Sequence, residues 1–231
     1  MKNVIYFILV SLLVFTSCKK ESNPISTTED ASNPTSPDTS PTITYSGKVY
    51  HTVKIGSQTW MKENLDVGAM IDSLQNPSNN GTIEKYCYGN DTANCNKYGG
   101  LYQWDEAMDY STTNGAKGIC PTGWHIPTRA EFDTLAAAVH NNSNSLKAVG
   151  QGASQLGGAG TNTSGFSALL AGFRWHDGHF DYLEAASTFW SSTEFNAPYA
   201  DYLSLAHYGS SIFLSYSNRE FGNSIRCIKD E

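Results

Sequence analysis

The sequence predicts an α+β domain in which two helices pack against strands joined by long loops. Three observations carry this expectation. The stretch Ile119–Leu135, ICPTGWHIPTRAEFDTL, reads as a buried cysteine, a strand, a helix start and the helix itself. Glycine (20 residues) and aromatic side chains (12%) are abundant while helical periodicity is scarce, which fits many short strands. The two ends of the domain, around Gly47–Leu65 and at SIRCIKD, both read as strands.

Taken in order, Gly47–Leu65 alternates apolar and polar residues about Ile55-Gly56-Ser57-Gln58, a β-hairpin with Val49, Val53, Ile55 and Trp60 facing inward. Residues 67–99 read mostly as loop. Within Leu101–Tyr110, Leu101, Trp104, Ala107 and Met108 recur at helical spacing and predict a first, short helix. The second is expected from about Arg129 to His140. Thr128 and Glu131 stand at the spacing of a capping box, in which the hydroxyl accepts from the Glu131 N–H and the carboxylate accepts from the Thr128 N–H. Trp124, Ile126, Phe132 and Leu135 form the apolar stripe. Asn141–Gly165, rich in Asn, Ser and Gly, reads as a long exposed loop with one helical turn near Leu146–Val149. GFSALLAGFRW then leads through Asp177-Gly178 into HFDYL, a second hairpin. FWSSTE opens the next strand, DYLSLAHYGSSIFLSYSN adds two, and SIRCIKD closes the chain.

The N-terminus is set apart by composition. Residues 1–17 carry Lys2 and then an apolar run from Val4 to Phe15, too short for a helix spanning roughly 30 Å of bilayer, and read as an export signal. The run ends in Phe15-Thr16-Ser17-Cys18, which resembles a bacterial lipobox and implies lipidation of Cys18; an ordinary signal peptide cleaved nearby is the alternative. Lys19-Lys20-Glu21 resembles the surface-export tags of Bacteroidetes-type lipoproteins. Residues 18–44 are Ser, Thr, Pro, Asn and Asp with almost no large apolar side chain, a disordered linker; the domain is expected to occupy 45–231. Losing residues 1–17 removes Lys2 alone and turns a net charge of −7 into −8. So acidic a chain, with no basic run, argues against nucleic acid as a partner.

Beyond Cys18 four cysteines remain, Cys87, Cys95, Cys120 and Cys227. An even number in an exported domain favours disulfides with three possible connectivities. Cys87 and Cys95 bracket the turn-rich YGNDTAN and are natural partners, which leaves Cys120 for Cys227. Reduced or metal-bound thiols are the alternative, but no CxxC or finger-like His spacing supports zinc.

VYHTVKIGSQTWMKENL, YGGLYQW, ICPTGWHIPTRAEFDTL, GTNTSGFSALLAGFR, FWSSTE and SIRCIKD, in this order, resemble the Fibrobacter succinogenes major paralogous domain over nearly all of 47–231. That resemblance implies an exported protein or lipoprotein of Bacteroidetes-like bacteria. HIPTRAEF and SIRCIKD are more distantly similar to formylglycine-generating enzymes and the wider C-type lectin-like fold. This implies two helices on small twisted antiparallel sheets, paired terminal strands, and function carried by long loops.

Each chemistry implied by the resemblance meets a test in the residues. A formylglycine-type oxidase needs two copper-binding cysteines shortly before the last strand, and Tyr202–Asn223 contains none, so no catalytic residue is assigned. Calcium-dependent sugar binding needs several converging oxygens; Glu194, Asn196 and Asp201 fall near the corresponding place, although Glu-Pro-Asn and Trp-Asn-Asp are missing. No cofactor is therefore expected, calcium being the exception held open. With Asp177-Gly178 as a two-residue turn, His176 and His179 become cross-strand neighbours that Asp181 could join in holding a metal; a solvated hairpin tip is the plainer reading. Of five tryptophans, Trp175 is the one expected at the surface, where a ring stacks on a sugar. Arg226 is expected to be a structural anchor.

The expected function is that of a membrane-anchored extracytoplasmic lipoprotein, held in the outer membrane and exposed at the surface. It would present a non-enzymatic module to a glycan or surface protein. Trp175, His176, Glu194, Asn196 and Asp201 are the candidate contacts, and the contact surface is expected to be built from the loops Asn141–Gly165 and Glu194–Asp201. A structural envelope component without a small ligand is the alternative, followed by an enzyme with an unrecognised site.

Overall fold

The computed structural model describes residues 38–231; the segment 1–17 read as an export signal, Cys18 and the stretch through residue 37 read as linker lie outside the described residues. Strand β1 (Thr42–Tyr45) occupies part of the stretch read as linker. It pairs antiparallel with β2 (Lys48–Ile55), Ile43 and Tyr45 pack on the core, and the Tyr45 hydroxyl donates to Ile119 O at 3.2 Å. The hairpin to β3 (Gln58–Met61) forms as expected and buries Ile55 and Trp60, with Val53 half-buried. Val49 is a correction: it is 55% exposed. Side chains alternate along a strand, and it is Tyr50 and Thr52 that face the core.

Next come β4 (Ala69–Met70) and β5 (Glu84–Lys85), a short parallel ladder, and then α1 (Thr92–Tyr98) in a region read as loop. The Asp91 carboxylate caps α1 by accepting from the Ala93 N–H at 2.9 Å, and Cys95 on this helix is bonded to Cys87. The helix expected over Leu101–Tyr110 is mostly absent. Leu101–Tyr102 is strand β6, Gln103 is extended, and α2 is a single turn at Trp104–Ala107. Two facts override the helical spacing: the Leu101 and Tyr86 backbones exchange hydrogen bonds, and Asp109 and Tyr110 adopt positive φ, which ends the turn.

Strand β7 (Trp124–His125) leads into α3 (Arg129–Ala138), where both halves of the Thr128–Glu131 capping box are present. The helix stops short of its expected end because His140 and Asn141 have positive φ. Asn141–Gly165 is pinned rather than simply exposed. It holds α4 (Ser143–Leu146) and the fully buried Lys147, whose Nζ donates to Ala206 O at 2.7 Å. The remaining strands are β8 (Ala171–Arg174), β9 (Phe180–Leu183), β10 (Ala186–Asn196), β11 (Tyr199–Ala206), β12 (Ile212–Asn218), β13 (Asn223–Ser224) and β14 (Ile228–Lys229).

These elements make an α+β fold with four short helices and two principal sheets. One runs β1-β2-β3-β14-β7, so the last strand lies between the N-terminal hairpin and the strand before α3. The other runs β12-β11-β10-β13-β6 and carries the β8–β9 hairpin beside β10. It is mixed rather than wholly antiparallel: β8 and β13 each meet β10 in parallel through one residue pair, Ser187 with Gly172 and Phe189 with Ser224. Strand β9 supplies the reversal that brings β8 alongside β10 in the same direction.

Two apolar clusters fill the interior. Trp104, Trp124 and Trp190 sit in the first, with the Cys120–Cys227 disulfide. In the second, Trp60 stacks on Phe132 of α3 at 5.8 Å, and Phe166, Phe189, Leu203 and Leu205 surround the pair. Arg226 joins distant segments as expected. Its guanidinium donates to Asn64 Oδ1 (3.0 and 2.6 Å) and Phe166 O (2.5 Å) while lying 4.4 Å above the Phe166 ring.

Candidate functional site

Leu203 and Leu205 of β11 face α3, so Tyr202, Ser204 and Ala206 must face the other way. On β10, Phe189 is in the core and Ala186 and Thr188 join that outer face. Beyond Tyr202, the small side chains of Ala186, Thr188, Ser204 and Ala206 leave the sheet low, and the chain builds walls around it. The result is a groove of about 410 Å³, within the range of roughly 300–1,000 Å³ typical of small-molecule sites.

One wall is aromatic and interlocked. Phe173 stacks on Tyr182 (centroids 5.2 Å, 15° between planes), and Trp175 lies 5.4 Å from Phe173 and 5.1 Å from Phe221. The opposite side presents Phe213 of β12 and the turn His207-Tyr208. Thr188 Oγ1 donates to Asn223 Oδ1 at 2.6 Å across the floor.

Buried cations brace both sides. Arg174, 2% exposed, donates from Nε and Nη2 to Ser73 O (2.8 and 2.6 Å) and from Nη1 to Glu220 O (3.1 Å), with its guanidinium over the Tyr86 ring. Its backbone also exchanges hydrogen bonds with Gly222, which fixes the Phe221 segment to the hairpin. Lys147 Nζ, bonded to Ala206 O and within 3.4 Å of Gly209 O, holds the two sides of His207-Tyr208. Burial pushes both cations below their ordinary pKa values.

This wall also contains a backbone in an uncommon conformation. Tyr182 has φ +63°, uncommon for a bulky side chain, and its N–H is held by Asp181 Oδ1 at 2.7 Å. The hairpin tip turns through His176, Asp177 and Gly178, and Gly178 at φ +96° approaches Ser73 so closely that a Cβ would lie 2.8 Å from Ser73 O. Two residues lining the groove carry a buried polar side-chain atom, Trp175 Nε1 and Ser217 Oγ, with no hydrogen-bond partner among the described residues.

The candidate contacts read from the sequence are dispersed. Trp175 lines the groove, and His176 lies beside it, 5.7 Å from the Phe221 ring. Glu194 and Asn196 belong to β10 and Asp201 to β11, so what reads as a loop is a hairpin turning at Ala197-Pro198. Glu194 pairs with Arg219 at 2.6 Å, and the buried Asp201 sits 3.6 Å from Arg129. Burial raises the Asp201 pKa although Arg129 opposes it. Phe195 and Tyr199 at the hairpin tip instead form an exposed aromatic trio with Tyr216 of β12, Phe195 stacked on Tyr216 at 3.9 Å and Tyr199 against it. His176 and His179 are not cross-strand partners: the hairpin closes through Trp175 N–H to His179 O at 2.8 Å, and His179 Nδ1 is 2.5 Å from Asp177 Oδ1. No group of three or more His, Cys, Asp or Glu side chains among the described residues could hold a metal ion.

Phe173, Tyr182, His207, Phe213, Ser217 and Phe221 escaped the sequence reading. A signal was present in Ser204 and Ala206, small side chains alternating with Leu203 and Leu205 on a strand beside abundant aromatics. Which aromatics face that strip depends on how β8–β9 and residues 219–222 fold back, and local pattern does not contain this.

Residues 53–229 match the family model described as the Fibrobacter succinogenes major domain. No curated protein and no solved structure matches the chain.

Proposed function

The chain belongs to the Fibrobacter succinogenes major domain family, and from the geometry of its groove we propose that it is a non-enzymatic glycan-binding module. It would be tethered by a lipid on Cys18 to the outer membrane and exposed at the cell surface. The observation that carries the reading is the groove beside Trp175. Aromatic rings present flat apolar faces, and the unpartnered Trp175 Nε1 and Ser217 Oγ offer hydrogen bonds to a ligand. Braced walls mean that little ordering is needed on binding. Among the described residues the lining contains His207 and tyrosines but no carboxylate, lysine or cysteine, so His207 has no acidic or nucleophilic partner beside it in the groove, which supports recognition. In fold terms the reading is of a C-type lectin-like variant, supported by the terminal strands meeting at Trp60 and Ile228. The ligand lies on a sheet face instead of the Glu194–Asp201 region.

The test is a broad glycan array probed with the full mature chain in nanodiscs, with calcium and again with EDTA. Binding that survives EDTA and disappears in Trp175→Ala is expected. Silence on every glycan, or binding indifferent to Trp175→Ala, refutes the groove as a glycan site. A Cys18→Ser variant should leave the membrane fraction; its retention there would refute the lipid tether.

A further inference from the structure

Resting on the glycan reading, we infer that the groove selects an uncharged oligosaccharide and discriminates against uronate- or sialate-bearing chains. Among the described residues, no Asp, Glu, Lys or Arg side chain lines it. A carboxylate taken out of water needs a cation or several strong donors, and without them its burial is costly. The cations of the neighbouring segments are engaged elsewhere, Lys147 with Ala206 O and Gly209 O. The Arg174 guanidinium is spent on Ser73 O, Glu220 O and the face of Tyr86. Arg219 lies over the Trp104 ring and pairs with Glu194. The net negative chain also repels anions at longer range.

What the groove does offer suits hydroxyl groups. Trp175 Nε1 is a donor only, and Ser217 Oγ both donates and accepts. His207 Nδ1 lies 3.0 Å from Ala185 O, an acceptor, so in the neutral ring the proton sits on Nδ1 and Nε2 is left to accept. A sugar hydroxyl can donate and accept at once and so can satisfy all three. An aliphatic chain would leave the buried Trp175 Nε1 and Ser217 Oγ unpaired, which disfavours lipid as the occupant. The aromatic wall, in which Trp175 is also stacked on His179 at 5.4 Å, supplies the apolar surface against which a sugar ring can pack.

The experiment is titration calorimetry on the full mature chain in nanodiscs. The probes are xylotetraose, cellotetraose, mannotetraose, maltotetraose and lactose-based oligosaccharides. Tetragalacturonate and the sialylated lactose series serve as acidic counterparts, and a fatty acid as the aliphatic probe. At least one neutral chain should bind about tenfold or more tightly than the acidic ones, because an unpaired buried charge costs more than one tenfold step. Trp175→Phe, which keeps a ring and removes only the N–H, should weaken that binding about tenfold, and Ser217→Ala should weaken it by a smaller factor. Circular dichroism and melting temperature confirm that these conservative variants fold. Equal or tighter binding of the acidic chains overturns the selectivity and leaves the glycan reading standing. Binding of the fatty acid with no sugar bound, or no sugar bound below about 1 mM, overturns both.

Discussion

His125 joins three parts of the molecule, and its titration should be visible in stability. Its Nε2 lies 2.9 Å from Glu131 Oε1 and its Nδ1 2.7 Å from Asp230 Oδ1, so the doubly protonated ring donates to both carboxylates. The hydrogen bond to Glu131 raises the His125 pKa above 6.5; burial opposes the rise and Asp230 adds to it. Burial would raise the Glu131 pKa, but His125 and Thr128 together outweigh it and hold the carboxyl below 4.5. The His125 contribution is therefore complete below pH 6.5 and fades as pH climbs through the raised folded value. That of Glu131 is present above 4.5 and fades as pH falls through its lowered value. A charge-assisted hydrogen bond to the half-buried Glu131 is worth about 1.5–3 kcal/mol, and the contact with the half-exposed Asp230 about 0–1. A His125→Gln variant keeps one neutral bond worth about 1 kcal/mol, so it should lose about 1.5 kcal/mol at acid pH. With a urea slope of about 2 kcal/mol/M, the midpoint falls by roughly 0.7 M at about pH 5, and the two proteins converge by about pH 9. Urea unfolding followed by tryptophan fluorescence at several pH values measures this. A gap of the same size at both ends of that range would refute the reasoning.

Other outcomes follow from the same geometry. Cys120–Cys227 closes a separation of 107 residues and Cys87–Cys95 one of 8, so replacing each pair by serine should cost about 5 and about 2.5 kcal/mol. Equal losses in denaturant titrations would contradict chain entropy as the cause. Thr128→Ala removes the cap from α3 and should cost about 1 kcal/mol, read as a lower urea midpoint with an unchanged slope. Gly172 has φ +67°, and a Cβ there would stand 2.6 Å from Asp181 O and 2.7 Å from the Tyr88 ring. Gly172→Ala should cost about 2 kcal/mol and weaken ligand binding at the Tyr182 wall; a melting temperature equal to wild type would contradict this.

Legibility in the sequence followed how local the physics is. The Thr128–Glu131 box depends on residues three apart and was readable as written. The cysteine pairs followed from even count and spacing, and the structure contains both. Leu101–Tyr110 failed because a helical spacing of four apolar residues is also compatible with a strand, a turn and a second turn packed on one core. Pairing with Tyr86, Asn223 and Ser224 decided between them. Val49 failed because an alternating strand has two apolar options, and only the rest of the sheet says which faces inward. At the site, Trp175 was legible as a large ring beside a turn with no place in a core stripe. Its companions were not, since Phe173, Tyr182, Phe213 and Phe221 look like any other buried or scattered aromatics.

By itself the sequence determined the α+β class, the family, the capped helix, the disulfide pairs and the apolar export-like segment at residues 1–17. Each rests on composition, on ordered motifs, or on interactions between residues close along the chain. Tertiary structure alone decided that β8 and β13 run parallel to β10, and that Glu194 and Asp201 pair with Arg219 and Arg129 instead of converging. It alone decided, too, that Arg174 and Lys147 fix an aromatic groove on the outer face of a sheet. Those outcomes depend on contacts between segments tens to a hundred residues apart, such as Arg174 with Ser73, and a one-dimensional pattern does not encode which distant surfaces will meet.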